Sequence, residues 1–269
     1  MKEFSLNKIK AAGTTVGDVY FPQTTLLLPF DGTNGATTTS DLSNSNKSST
    51  IGGSATISTA QSKFGGSSLN TSSGYCDISS SDIIEFGTSD FTFELWYYKT
   101  SATSGLTMLF DCRTGSSGNQ YTPTSSFSNE NPQWSVYGGG QITSSISTSL
   151  DVWNHFAVVR NSGTTTMYIN GASAGSFSDS NNYVSSRVAL GAYRTLATQY
   201  SFPGYIDGFR ITKGVARYTS NFTPPTSAHL TSAGDVNKQI IINSAADGVA
   251  IGTGGINQAR IAKAWVNFN

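Results

Sequence analysis

Between residues 24 and 226 the chain runs in short apolar/polar alternations broken by clusters of Gly, Asn, Ser and Pro. The clearest run is DFTFELWYY at 90–98. A two-residue repeat puts Phe91, Phe93, Leu95 and Tyr97 on one face and Thr92, Glu94, Trp96 and Tyr98 on the other. The first set is predicted to face a core. HFAVVR at 155–160 is a second strand, followed by the turn NSGT. Next comes TTMYI, then Asn170-Gly171, a type I′ hairpin signal, before ASAGSF. RVALGAY and GYIDGFRIT read as two late strands. Ser/Gly/Asn stretches at 40–56, 113–131 and 178–187 read as loops. No helical periodicity with caps is found between 24 and 226. Regular strand spacing without alternating helices predicts an all-β antiparallel sandwich. Two prolines in FTPPTS at 222–227 cannot enter a ladder interior and mark a boundary. The division is a polar leader at 1–22, a main domain at 23–228, and a C-terminal β-rich tail at 229–269.

Composition narrows the function. Only 12% of the 269 residues are charged, and 16 basic residues balance 16 acidic ones. Such a surface offers no basic field to phosphate backbones, so nucleic acid is not an expected partner. No apolar run reaches the ~18 residues of a membrane span, so membrane insertion is not expected. The first 20 residues lack the apolar stretch of an export signal, which gives synthesis in the cytoplasm as the expectation. Cys76 and Cys112 sit inside apparent strands and are expected as buried free thiols. His155 is read as a packed structural residue. Arg210 and Arg217 are read as internally paired.

The order of certain segments resembles a known family. They are LLLPFDGTNG at 26–35, AQSKFGGSSL at 60–69, FGTSDFTFELWYY at 86–98, WNHFAVVRNSGTTTMYINGASAGS at 153–176 and FPGYIDGFRITKGVARYTSNFTPPT at 202–226. In this order they resemble concanavalin A-like, laminin-G type jelly rolls of bacteriophage structural proteins. AKAWVNFN at 262–269 is similar to a segment of phage tail-fibre proteins. The resemblance implies a jelly-roll β-sandwich in a viral setting.

Glucanases share that fold, and their signature strand carries Glu-x-Asp-x-x-Glu. A retaining glycosidase needs two carboxyl groups ~5–5.5 Å apart. The comparable strand here has one, Glu94, followed by Trp96 and Tyr98. Nor do the serines form a Gly-x-Ser-x-Gly nucleophile elbow with a matched base. The chain is therefore expected not to be an enzyme. Aromatic faces stack on pyranoses and a carboxylate accepts sugar hydroxyls, which makes Glu94, Trp96 and Tyr98 the sugar-binding candidates. The competing reading makes Trp96 a structural residue. Trp134 and Tyr137, in NPQWSVYGGG, join the list as loop aromatics. No cofactor is required. The resemblance does offer a calcium site, with Asp31 of FDG and Asp207 of YIDG as carboxylates and carbonyls from the FGGSS turn at 64–68. The competing reading is that each Asp caps its own turn. Relatives carry a second acid where this chain has Gly208.

Together these give a virion structural or adhesion protein of a bacteriophage: a tail fibre, receptor-binding module or capsid decoration. Its expected partners are other virion proteins and a host cell-surface glycan. The apolar side chains of 231–269 and the resemblance to fibres predict a homotrimer joined through that tail. The alternative is a free bacterial carbohydrate-binding module or lectin.

Overall fold

The computed structural model describes residues 17–103, 105–114, 121–128, 130–136 and 139–233. Its strands are β1 (Thr24–Leu28), β2 (Ser49–Gly53), β3 (Thr56–Ser58), β4 (Ser68–Asn70), β5 (Gly74–Gly87), β6 (Phe91–Lys99), β7 (Thr107–Asp111) and β8 (Pro123–Ser128). There follow β9 (Asn131–Val136), β10 (Gln141–Thr143), β11 (Trp153–Asn161), β12 (Thr164–Ile169), β13 (Ala172–Ser178), β14 (Tyr183–Leu190) and β15 (Gly204–Lys213). Among the described residues there is no α-helix, and two short 3-10 turns complete the inventory.

The strands form two sheets facing each other, as the alternation predicts. The first has the order β13-β12-β11-β6-β15-β4-β3, with β1 also paired to β15. The second has the order β10-β9-β8-β7-β14-β5-β2. The strand pairs between named elements are antiparallel, and neighbours distant in sequence lie side by side. Phe91, Phe93, Leu95 and Tyr97 of β6 point into the core, where Phe93 stacks on Phe110 of β7 at 5.6 Å.

Three expected loops contain strands. The 40–56 stretch holds β2, 113–131 holds β8, and 178–187 holds the first half of β14. Their Ser and Thr side chains fit half-buried pleated positions, so polarity alone does not identify a loop. Trp134 needs correction for the same reason. It is not a loop aromatic: β9 alternates inward and outward, with Pro132, Trp134 and Val136 inward. Trp134 is fully buried between the sheets, 5.4 Å from Phe93. No face of it is left for a sugar. Cys76 and Cys112 are buried and unbonded.

Past β15 the chain does not leave the domain. Residues 214–231 cross the outer face of the first sheet as a strap. Ala216, Tyr218 and Phe222 pack on Ala157, Val159 and Tyr168 of β11 and β12. Residues 17–20, assigned to a leader by sequence, join the same face through Asp18. Its carboxylate receives hydrogen bonds from Arg210 and Arg217, and its amide donates to Ser232 O at 2.9 Å. The tail from residue 234 onward, expected to mediate assembly, lies outside the described residues, as does Tyr137.

Candidate functional site

The strap changes the meaning of Glu94. This residue points outward from β6, yet it is fully buried because Tyr218 closes over it. Arg210, on the neighbouring β15, donates to Glu94 Oε1 from Nε at 2.9 Å and from Nη2 at 2.6 Å. Tyr218 donates its hydroxyl to Oε2 at 2.8 Å, and His155 Nε2 lies 3.4 Å from the same oxygen. Burial alone would raise the carboxyl's pKa, but the Arg210 guanidinium, with His155, holds it well below the usual carboxylate range. Glu94 is thus a sealed internal anion, which corrects its place among sugar ligands. Arg210 and Arg217 are internally paired, and they converge on one acceptor, Asp18.

Trp96 is also covered. Lys63 Nζ sits 3.8 Å from its ring centroid, Phe64 meets it edge-on at 6.1 Å, and His155 packs beside it at 4.9 Å. With 5% of its surface exposed, it is the floor beneath a lysine and not an open platform, which corrects the second candidate.

Tyr98 is different. It is half-buried and sits directly opposite Trp153 of β11 on one side and Tyr205 of β15 on the other. Residues opposite one another in a ladder share a face. The three rings therefore form a row across three strands, with centroids 5.6 Å and 6.1 Å apart. Register continues the row through Asn70 of β4 and Thr56 of β3, both half-buried. Neither Trp153 nor Tyr205 stood out by motif. Their shared face follows only from the strand register, which sequence alone does not supply.

A cleft of about 160 Å³ is lined among others by Pro29, Asp31, Phe64, Asp207 and His229. Asp207 is buried, and its Oδ2 accepts from the amides of Lys63 at 2.8 Å and Phe64 at 3.1 Å. The Asp31 carboxylate lies against Cα of Gly65 in the same turn; a Cβ there would collide with Oδ1. Both carboxylates thus meet the 63–66 turn. Burial, with the nearby charge of Asp31, pushes Asp207 up to about 7 despite its two amide donors. Burial also raises Asp31. His229 donates Nε2–H to Gly208 O at 3.0 Å, and burial, with Arg210 nearby, brings its pKa down to about 4.

Two carboxylates pushed upward beside each other suit a hard cation, and Asp31 accepts no hydrogen bond from the described residues. No cluster of three or more His, Cys, Asp or Glu forms among the described residues. A cation would therefore take these two acids and complete its shell with carbonyl oxygens and water, as calcium does.

Comparison with known proteins agrees with this architecture. A family model described as the concanavalin A-like lectin/glucanases superfamily, of the laminin-G kind, matches residues 70–217. Among curated proteins nothing matches the chain. Several solved structures share the fold. The binding domain of Paraclostridial Mosquitocidal Protein 1 is 19% identical with a TM-score of 0.54, over 74% of this chain and 51% of that one. Domain 4 of AbnA, an extracellular arabinanase of Geobacillus stearothermophilus solved with arabinotriose, is 20% identical with a TM-score of 0.52, over 73% and 95%. The ligand-binding domain of botulinum neurotoxin serotype D, solved with N-acetylneuraminic acid, is 14% identical with a TM-score of 0.56, over 75% and 49%. The chain thus spans about half the length of the toxin domains.

Proposed function

The chain belongs to the concanavalin A-like lectin/glucanases superfamily, and from that membership we propose that it is a binding module that grips a glycan on the row Trp153–Tyr98–Tyr205. The observation that carries this reading is a contrast on one sheet face. The strap covers Ala157, Val159 and Tyr168 and seals Glu94, whereas the three rings stay half-open. Aromatic rings of this kind stack on the apolar faces of pyranose or furanose rings, and the Asn70 and Thr56 end supplies polar partners for hydroxyls. The arabinotriose and N-acetylneuraminic acid in two solved relatives support a carbohydrate ligand. Glu94 is unsuited to glycoside cleavage, because it is fully buried beneath Tyr218 and sealed from any substrate. The module binds and does not cleave.

A calcium ion held by Asp31 and Asp207 belongs to the same proposal. Its chemistry would be to neutralise the two acids and fix the 63–66 turn, whose Lys63 covers Trp96. The setting is a bacteriophage virion, as tail fibre, receptor-binding module or capsid decoration, made in the host cytoplasm. There the chain sits as a homotrimer among other virion proteins and reaches a host cell-surface glycan. The resemblance of the 202–226 and 262–269 segments to phage proteins supports this setting. A free bacterial carbohydrate-binding module is the alternative.

Glycan-array screening followed by calorimetry tests the binding reading. Replacement of Trp153 or Tyr98 by Ala is expected to weaken the selected neutral glycan tenfold or more, with the melting temperature held near wild type. Absence of binding across the array, or affinity unchanged in both variants, would overturn it. Mass spectrometry of purified phage particles tests the virion setting.

A further inference from the structure

The second sheet carries a different kind of chemistry at the loop that follows β14. On its outer face Asp77 of β5, Ala189 of β14 and Asp111 of β7 stand in one row. The loop after Leu190 folds back over this row. The Arg194 amide donates to Asp111 Oδ2 at 2.9 Å, and the Arg194 carbonyl accepts from Arg187 Nη1 at 2.5 Å. The backbone of Arg194 is therefore clamped from both sides.

Three arginines meet here, and two of them are spent. Arg113 forks onto Asp111, with Nε at 2.9 Å from Oδ1 and Nη2 at 2.6 Å from Oδ2. Arg187 Nε reaches Asp77 Oδ1 at 2.5 Å. Arg194 forms no ion pair among the described residues, and its Nε is buried with no hydrogen-bond partner there. A buried donor left unsatisfied is costly, and a guanidinium is recognised best by a planar, two-oxygen anion. Arg194 is held in place by stacking. Its guanidinium carbon lies 5.1 Å from the Tyr193 ring centroid, that of Arg113 lies 4.7 Å from the same ring, and Tyr200 packs on Tyr193 at 5.1 Å. Tyr193, Arg194 and Tyr200 are all half-buried and so reach solvent.

We propose that this loop is a second binding site, for the carboxylate of an acidic sugar, with Arg194 taking the carboxylate and Tyr193 and Tyr200 flanking the sugar ring. A bare anion would use the charge but not the two tyrosines; a neutral sugar would leave the guanidinium unpaired. The site lies on the opposite sheet from the aromatic row and stands or falls independently of it. A uronic acid and a sialic acid share this chemistry, and the test separates them.

Trigalacturonate, its methyl ester, 3′-sialyllactose, lactose and inorganic phosphate are titrated into the full chain by calorimetry. At least one of the two acidic sugars is expected to bind, weakening as salt rises, while the methyl ester or lactose counterpart binds at least tenfold more weakly. Arg194→Gln should reduce acid binding at least tenfold. In the wild-type protein the Arg194 Nε–H resonance should shift on titration, a readout independent of how the variant folds. Binding of neither acid, equal binding of the ester and lactose, phosphate binding as tight as the sugars, or an unmoved Arg194 resonance would each overturn the proposal.

Discussion

Gly171 accepts a hydrogen bond at its carbonyl from the amide of Phe222, at 2.9 Å, and packs its Cα against the Phe222 carbonyl so closely that a Cβ would collide with that oxygen. The turn that joins β12 to β13 thereby anchors the strap. Asn170 and Gly171 have φ of 50° and 80°, the two positive values that a type I′ turn requires. Gly171→Val meets both obstacles. It should destabilise the protein by more than about 2 kcal/mol, the left-handed penalty of a side-chain-bearing residue plus the displaced strap. Thermal unfolding measures this, and a melting temperature equal to wild type would refute both the turn and the anchoring.

Glu94 yields a prediction about acid stability. Its carboxyl is held below its ordinary range in the folded chain, so its contribution is present above the unfolded value of about 4.5 and is lost as pH falls through the folded value. Glu94→Gln leaves Arg210 with Asp18 as its remaining acid partner, and breaking a buried pair costs about 3–5 kcal/mol. Urea unfolding from pH 3 to 7 should show a less stable variant at pH 7, with a shallower acid-side slope. Parallel curves with equal midpoints would contradict the sealed-anion reading.

Calcium should be visible as linkage. An ion that binds only the folded chain raises the melting temperature with concentration. Millimolar calcium is therefore expected to raise it and EDTA to lower it. Asp207→Asn, whose amide oxygen can still accept from Lys63 and Phe64, should abolish the response while the chain remains folded. Superimposable melts with calcium and with EDTA would reject the site.

Assembly can be tested with a cut placed by the structure. A chain ending at residue 228 would lose His229 and Ser232, which hold Gly208 and Asp18. A chain ending at Ala233 keeps them. Light scattering on the full chain should give a trimer, and on the shortened chain a monomer. A full-length monomer at micromolar concentration would refute self-assembly, and a trimer after shortening would move the contact away from the tail.

The fold was readable because its signals are local. Phe91, Phe93, Leu95 and Tyr97 announce the inner face of β6 by alternation alone, and Asn170-Gly171 announces its hairpin. The site was harder to read because cover is not local. Glu94, Trp96 and Tyr98 carry the same outward parity, yet Tyr218 and Lys63, 124 and 33 residues away in sequence, bury the first two and leave the third. Trp134 was misplaced because its strand is rich in the polar residues that elsewhere form loops. Asp31, just past the end of β1, and Asp207 of β15 do line one cleft, since β1 and β15 are paired.

The hydrogen bond between Asp18 and Ser232 has a mechanical meaning. The two ends of the described domain lie side by side on the outer face of the first sheet. Tension applied between those ends would not run through the sandwich from pole to pole. It would open the Asp18 contact and peel the strap, rung by rung, from the face it covers. A pull on the two ends would reach the strap before it strained the two sheets.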